Sequence, residues 1–267
     1  MKFNLAISPC PNDTFMFDAI VNQKIDLEGL EFNTSYYDIE QLNQYALDSM
    51  FDITKLSFGA YVHLNHMYQL FDCGSALGKN CGPILICKRE RTINNKLSIA
   101  IPGKYTTANM MLDIAFPSHT NRKEFIFSDI ENAVLNDNMD AGLIIHESRF
   151  TYQKKGLVKL LDIGEFWERK TSLPIPLGGI AVKRSVKSAI KKRIQRVLKR
   201  SIIYALDHPN ESLNFIKKYS QELDEQVIKS HINLYVNHYS VDLKDNGKDA
   251  INKLFTLLKK ESMDIFL

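Results

Sequence analysis

His146 is the residue with the most chemistry in its setting. It ends a fully apolar run, Ala141-Gly142-Leu143-Ile144-Ile145, and is followed by Glu147-Ser148-Arg149-Phe150. An apolar run of that length reads as a buried strand, and the carboxyl end of such a strand is where α/β proteins collect their working groups. An imidazole titrating near about 6.5 suits a general base at neutral pH. The plainer alternative is a histidine bonded to a loop carbonyl. His146-Glu147 does not start a metalloprotease motif, because position 150 is Phe. The other six histidines lack a comparable setting. His231 and His238 lie seven apart on an expected helix, so they share a face but are too far apart to chelate one metal.

Three further segments join a strand to a helix with polar residues at the junction. Ser8-Pro9-Cys10-Pro11-Asn12-Asp13-Thr14-Phe15 is stiffened by two prolines, and Asn12 or Asp13 is expected to cap the helix that follows. Cys10 near a helix N-terminus invites a nucleophile reading. No partner histidine is identifiable, so a half-buried thiol is expected. In Thr54-Lys55-Leu56-Ser57, Lys55 brings a cation and Ser57 a hydroxyl. Turned into a cleft they would hold a carboxylate; otherwise they are a solvated lysine and a helix cap. Gly103-Lys104-Tyr105-Thr106-Thr107 repeats the form. One threonine suffices as a cap, leaving the other for an anion or a sugar hydroxyl. Gly74-Ser75-Ala76-Leu77-Gly78-Lys79-Asn80 is one residue short of a phosphate-binding loop, and Asn80 stands where Ser or Thr would hold magnesium. A flexible loop is expected there.

The elements that position these residues alternate. Strands are expected at 3–7, 31–36, 53–56, 68–72, 83–87, 97–101, 125–127, 141–145, 157–163 and 179–182. Helices are expected at about 12–21, 39–50, 58–64, 107–116, 128–136, 186–206, 210–219, 224–237 and 247–261. Strand–helix alternation implies βαβ units and parallel or mixed sheets. The expected fold class is α/β, with two α/β lobes around a ligand cleft. Residues 1–88 with 179–267 would form the larger, discontinuous domain, and 89–178 the smaller inserted one.

Composition fits this picture. The chain has 267 residues, 45% hydrophobic and 24% charged, with only 12 Gly and 8 Pro. That excludes disordered and collagen-like classes. No stretch approaches the ~20 apolar residues of a membrane span, and the N-terminus does not read as a secretion signal. Cys10, Cys73, Cys81 and Cys87 have neither zinc-finger spacing nor the density of a disulfide scaffold, so reduced thiols in the cytoplasm are expected. The formal charge is +3, yet segment 183–200 alone holds nine Lys/Arg and no acid. Removing those nine leaves 25 basic against 31 acidic side chains. Val186, Ala189, Ile190, Ile194, Val197 and Leu198 recur there at helical spacing, giving a buried stripe and a solvated basic face. Neither nucleic acid nor membrane is expected as a partner.

The segments Ser8 to Phe15 and Gly142 to Tyr152 together resemble the 1,4-dihydroxy-6-naphthoate synthase family of the futalosine route to menaquinone. Thr54 to Ser57, Pro102-Gly103 with Thr106-Thr107, and Leu173-Pro174-Ile175-Pro176-Leu177-Gly178 fit the same family. The matching motifs run from the start of the chain to its middle, and the helical tail adds little. The resemblance implies a fold similar to type II periplasmic-binding proteins. It also implies conversion of cyclic dehypoxanthinylfutalosine to 1,4-dihydroxy-6-naphthoate with release of dihydroxyacetone, and no metal or organic cofactor. His146 falls on the family's catalytic base. Lys55, Leu56, Ser57, Thr106 and Thr107 fall on substrate-binding positions. The partner implied is the small-molecule substrate, and a homodimer is left open.

Three rivals share this fold. A solute-binding protein would carry a secretion signal and has no need of His146. A ligand-sensing regulator would bring a DNA-binding helix-turn-helix, for which a chain starting in a sheet strand leaves no room. The chorismate dehydratase of the same pathway is the nearest enzymatic alternative; Ser8 to Asp13 favours the synthase.

Overall fold

Short apolar runs and amphipathic helices alternate along the chain, and they assemble into two mixed sheets with helices against their faces. The computed structural model describes residues 1–221 and 223–267. In chain order the first part comprises β1 (Lys2–Ile7), α1 (Pro11–Val21), β2 (Glu31–Tyr36), α2 (Ile39–Leu47), β3 (Ile53–Ser57), α3 (Phe58–Leu64), β4 (Tyr68–Leu70) and β5 (Ala76–Gly78). The middle holds β6 (Ile84–Cys87), β7 (Ile99–Ile101), α4 (Thr107–Ala115), β8 (Arg122–Glu124), α5 (Ile130–Leu135), β9 (Ala141–Ile144), α6 (Ser148–Thr151), β10 (Val158–Asp162) and α7 (Ile163–Thr171). Then come β11 (Ile175–Lys183), α8 (Ser188–Asp207), α9 (Leu213–Tyr219), α10 (Glu225–Tyr235), α11 (His238–Val241) and α12 (Lys244–Leu257).

The first sheet runs β2-β1-β3-β11-β4, with β5 also on β11; β1 is parallel to β2 and β3, and β11 is antiparallel to its partners. The second runs β10-β6-β9-β7-β8, antiparallel at β6 and parallel around β7. The chain therefore changes sheets between β5 and β6 and returns between α7 and β11. Ile84 to Cys87, grouped with the first block on sequence, hydrogen-bonds in the second sheet, and β11 begins at Ile175, ahead of residue 179. Where the chain leaves the first sheet, Gly82 lies against Gly164. A Cβ on Gly82 would sit 2.3 Å from the Gly164 Cα, so only glycine lets these backbones touch.

Several elements differ from expectation for physical reasons. The Phe125-Ile126-Phe127 run is not a strand. The strand there is the edge β8, Arg-Lys-Glu, which is solvated and needs no apolar alternation. Phe127 instead opens a 3₁₀ turn and buries itself, leaving Ile126 exposed. The loop expected at 74–80 contains β5, wholly buried on β11 and too short to show a period of two. Helix α7 starts on Asp162, whose side chain accepts from the Glu165 amide, and buries Trp167. Neither Ser128 nor Asp129 caps α5 with its side chain. The helix expected over 224–237 ends at Tyr235, and Asn237 caps the separate α11. His231 is therefore buried while His238 is exposed on another helix.

On α8 the buried stripe includes Ile194, Val197 and Leu198, but Ala189 is exposed and Lys191 is buried, donating to the Gln69 side chain at 3.0 Å. The basic face is tied down: Arg196 and Arg200 both pair with Glu28, and Lys199 pairs with Asp242. No described helix is long and apolar enough to cross a membrane.

Candidate active site

Helix α1 begins at Pro11, where a missing N–H costs nothing, and its N-cap is Cys10 without a side-chain bond. Asn12 and Asp13 are thus not caps. Both are buried in the first turn and turn their side chains into a network. Asp13 Oδ2 accepts from the Ser8 amide at 3.2 Å and the Ser8 hydroxyl at 2.7 Å. Asp13 Oδ1 accepts from Asn12 Nδ2 and Lys55 Nζ, each at 2.9 Å. Four donors on one buried carboxylate meet the cost of removing it from water. Lys55 is accordingly not solvated; it is buried on β3 against Asp13.

Strand alternation places Lys55 and Ser57 on the cleft side and turns Leu56 between them into the core. Ser57 does not cap α3 with its hydroxyl. Asn43, on α2, clamps it instead: Asn43 Nδ2 donates to Ser57 Oγ at 3.1 Å, and the Ser57 amide donates to Asn43 Oδ1 at 3.0 Å. Across the cleft, Thr106 caps α4 by accepting from the Asn109 amide. The Thr107 hydroxyl, expected to be spare, is occupied. It accepts from the Gly59 amide at 3.0 Å and donates to the Leu177 carbonyl. Gly59 allows this contact, because a Cβ there would lie 2.8 Å from the Thr106 carbonyl oxygen. What α4 offers the cleft is its first turn, where backbone amides have no intrahelical acceptor.

His146 follows β9 with φ of +55°, a left-handed conformation in which histidine is enriched but still uncommon. The segment after it is anchored on two sides. Glu131 accepts from Ser148 at 3.2 Å and Lys155 at 2.7 Å, while Arg149 donates to the carbonyls of Asn80 and Gly82. The His146 ring lines the cleft beside Phe127, at 4.9 Å between centroids, and its nitrogens bond to none of the described residues. Burial pushes its pKa down to about 4; the Asp13 charge opposes this and Lys55 adds to it. The ring is therefore neutral at pH 7, with its lone pair available, and burial makes it a weaker base than a free imidazole.

Sequence reasoning left His231 without a role, and the structure brings it into the site. It is fully buried on α10, parallel to His146 with centroids 6.1 Å apart. Its Nε2 is 2.9 Å from Asn12 Oδ1, and its Nδ1 lies 3.6 Å from Glu147 Oε2. Burial holds its pKa well below the usual value. The Cys10 thiol is pushed well above its usual value by burial, with Glu147 adding to the effect, so it is protonated and no nucleophile at pH 7. Among the described residues, Cys10, His146 and Glu147 could hold a metal ion; their donor atoms lie within 4.8 Å of one another.

Groups from both sheets line one cleft between them. Lys55, Ser57, Thr106, Thr107 and His146 all reach it; the Leu56 side chain does not. Ser8, Asn12, Gly178 and Tyr235 line it as well. For Ser8, Asn12 and Gly178 the signal lay within quoted motifs. For Asn43 and Tyr235 no local signal existed.

Known proteins resemble this chain along nearly its whole length. A family model described as menaquinone biosynthesis matches residues 3–260. The 1,4-dihydroxy-6-naphthoate synthase of Thermus thermophilus is 37% identical over 94% of this chain and 92% of its own length. The enzyme of that name from Streptomyces coelicolor is 35% identical over 97% and 93%. A crystal structure of a protein from Archaeoglobus fulgidus superposes with a TM-score of 0.93 at 34% identity, covering 97% of each chain. A Candida albicans protein described as having the generic periplasmic-binding-protein fold superposes at 0.69 with 13% identity, over 99% of this chain and 93% of that one. At that identity the likeness speaks for the fold alone, and it gives the two-lobed architecture its name.

Proposed function

The chain belongs to the 1,4-dihydroxy-6-naphthoate synthase family of menaquinone biosynthesis, and from that membership we propose that it cleaves cyclic dehypoxanthinylfutalosine with His146 as the proton acceptor. The products are 1,4-dihydroxy-6-naphthoate and dihydroxyacetone. His146 takes a proton from the sugar-derived part of the substrate, and a carbon–carbon bond breaks in a retro-aldol sense. Formation of the aromatic ring supplies driving force. The observation that carries this reading is a neutral, unbonded imidazole facing a cleft that is otherwise rich in fixed hydrogen-bond donors.

Lys55 and Ser57 on one wall, and Thr106 and Thr107 with the α4 amides on the other, bind the substrate. The Thr106 and Thr107 hydroxyls already donate to the Gly103 and Leu177 carbonyls, so the preset donors on that wall are the first-turn amides of α4, which need no rearrangement when charge develops on oxygen. Lys55 offers positive charge to a carboxylate, although part of that charge already faces Asp13. The side chain of Leu56 packs behind the site rather than in it. Four free, buried cysteines agree with a reducing compartment such as the cytoplasm.

The purified protein is expected to convert the cyclic futalosine derivative to the naphthoate, followed by absorbance, with one dihydroxyacetone per naphthoate. Absence of both products would sink the reaction; naphthoate without dihydroxyacetone would sink the cleavage step.

A further inference from the structure

We propose that Asn12 is a second catalytic residue, a hydrogen-bond donor to the oxygen that becomes negative as His146 withdraws its proton, and that His231 is the residue that positions it. The inference rests on the reaction proposed above, whose base is His146.

The amide of Asn12 has one orientation only. Asp13 Oδ1 accepts from the NH₂ side, so that side is nitrogen, and the opposite atom must be the carbonyl oxygen. Asp13 cannot yield, because Lys55 and Ser8 hold both of its oxygens. Asn12 Oδ1 then needs a donor, and His231 Nε2 at 2.9 Å is the atom that meets it. A neutral imidazole has a single N–H, so His231 is fixed as the Nε2–H tautomer with Nδ1 facing Glu147. Burial favours that neutral ring at physiological pH.

Asn12 is thereby gripped at both ends while lining the cleft. One of its two amide hydrogens goes to Asp13. The other has no acceptor among the described residues. A buried N–H held in one direction and left unbonded, on a residue that lines the same cleft as a candidate base, is the arrangement that oxyanion stabilisation uses. The ligand class that suits it is a carbonyl, enolate or alkoxide oxygen. His231 arrives from the C-terminal helices, 219 residues away from Asn12 in the chain. This gives that part of the molecule a function in the site as well as in packing.

The test compares four proteins in one assay. Asn12→Ala is expected to lose roughly 10²–10³-fold in kcat, the worth of one such donor, with little change in KM. His231→Phe keeps a ring but has no N–H, and is expected to lose about 10–100-fold in kcat, as loss of an orienting partner does at other sites. His231→Gln still has an N–H to give and is expected to recover most of that loss. A merely structural His231 would lower the folded fraction without separating Phe from Gln in kcat per folded protein. Thermal unfolding of each variant supplies that fraction. Wild-type kcat in His231→Phe, or an Asn12→Ala variant changed only in KM, would overturn the proposal.

A readout free of turnover completes the test. The His231 Nε2 proton is expected as a slowly exchanging imidazole resonance in wild type that is lost in Asn12→Ala. Its absence from wild type would also overturn the positioning contact. A fully active His146→Ala would remove the base while leaving these comparisons valid.

Discussion

The two walls of the cleft are built on opposite principles. On the wall from the first sheet the polar side chains hold one another in place: Ser8, Asn12 and Lys55 converge on Asp13, and Asn43 clamps Ser57, leaving one Asn12 N–H for the cleft. On the wall from the second sheet, His146 stands in a left-handed turn with no hydrogen bond to a described residue. The first wall is a rigid template whose ordering is complete before substrate arrives. The second holds His146, the group we propose as the proton acceptor. A base satisfied by protein partners would be a poor proton acceptor, and a template left unsatisfied would be unstable when buried. The division of labour between lobes follows from those two requirements.

The largest effect should come from breaking the template. Lys55→Met leaves the Asp13 carboxylate buried without its charge partner, and is expected to destabilise the protein by about 3–5 kcal/mol in denaturant unfolding. A loss below about 1 kcal/mol, the worth of a surface pair, would show that the wall is wetter and looser than its geometry.

A smaller, pH-dependent effect should appear where the two walls touch. Glu40 on α2 accepts from the Tyr105 amide just ahead of α4, at 3.1 and 3.2 Å. The Gly103 backbone lies so close that a Cβ there would sit 2.4 Å from the carboxyl carbon. Burial raises the Glu40 pKa from 4.5 to about 7; the charges of Glu124 and Asp38 add to this, while the Tyr105 amide and Asn43 oppose it. The folded protein therefore holds this proton more tightly than the unfolded chain, and stability falls as pH rises from 4.5 through about 7. Glu40→Gln removes the titration. It should be more stable than wild type above pH 7 by about 1 kcal/mol after screening, or about 2–4 °C in Tm. The gap should close toward pH 4.5. An equal gap at both pH values would mean that Glu40 does not titrate between the lobes.

Much of the second wall was legible in the sequence, because its signals are local. An apolar run ending in a histidine announces a strand end, and Thr106-Thr107 after Pro-Gly announces a helix start. The first wall was legible only as residue types. Lys55 and Ser57 looked like a solvated cation and a cap, and Asn12 and Asp13 like caps, because their partners are brought in by folding. Asp13 and Lys55 are 42 residues apart, and Asn12 and His231 are 219 apart. No period or spacing encodes such a meeting. The fold failed to show where the signal was shorter than a period, as in β5, or where an apolar run served packing, as in Phe125 to Phe127.

The central claim is that the unbonded imidazole of the second wall performs the proton transfer. Its most direct test is the steady-state turnover of His146→Ala with cyclic dehypoxanthinylfutalosine. The account predicts a kcat lower by roughly 10²–10⁴-fold in a protein that still binds substrate, since the template wall is untouched. Wild-type turnover by that variant would contradict it.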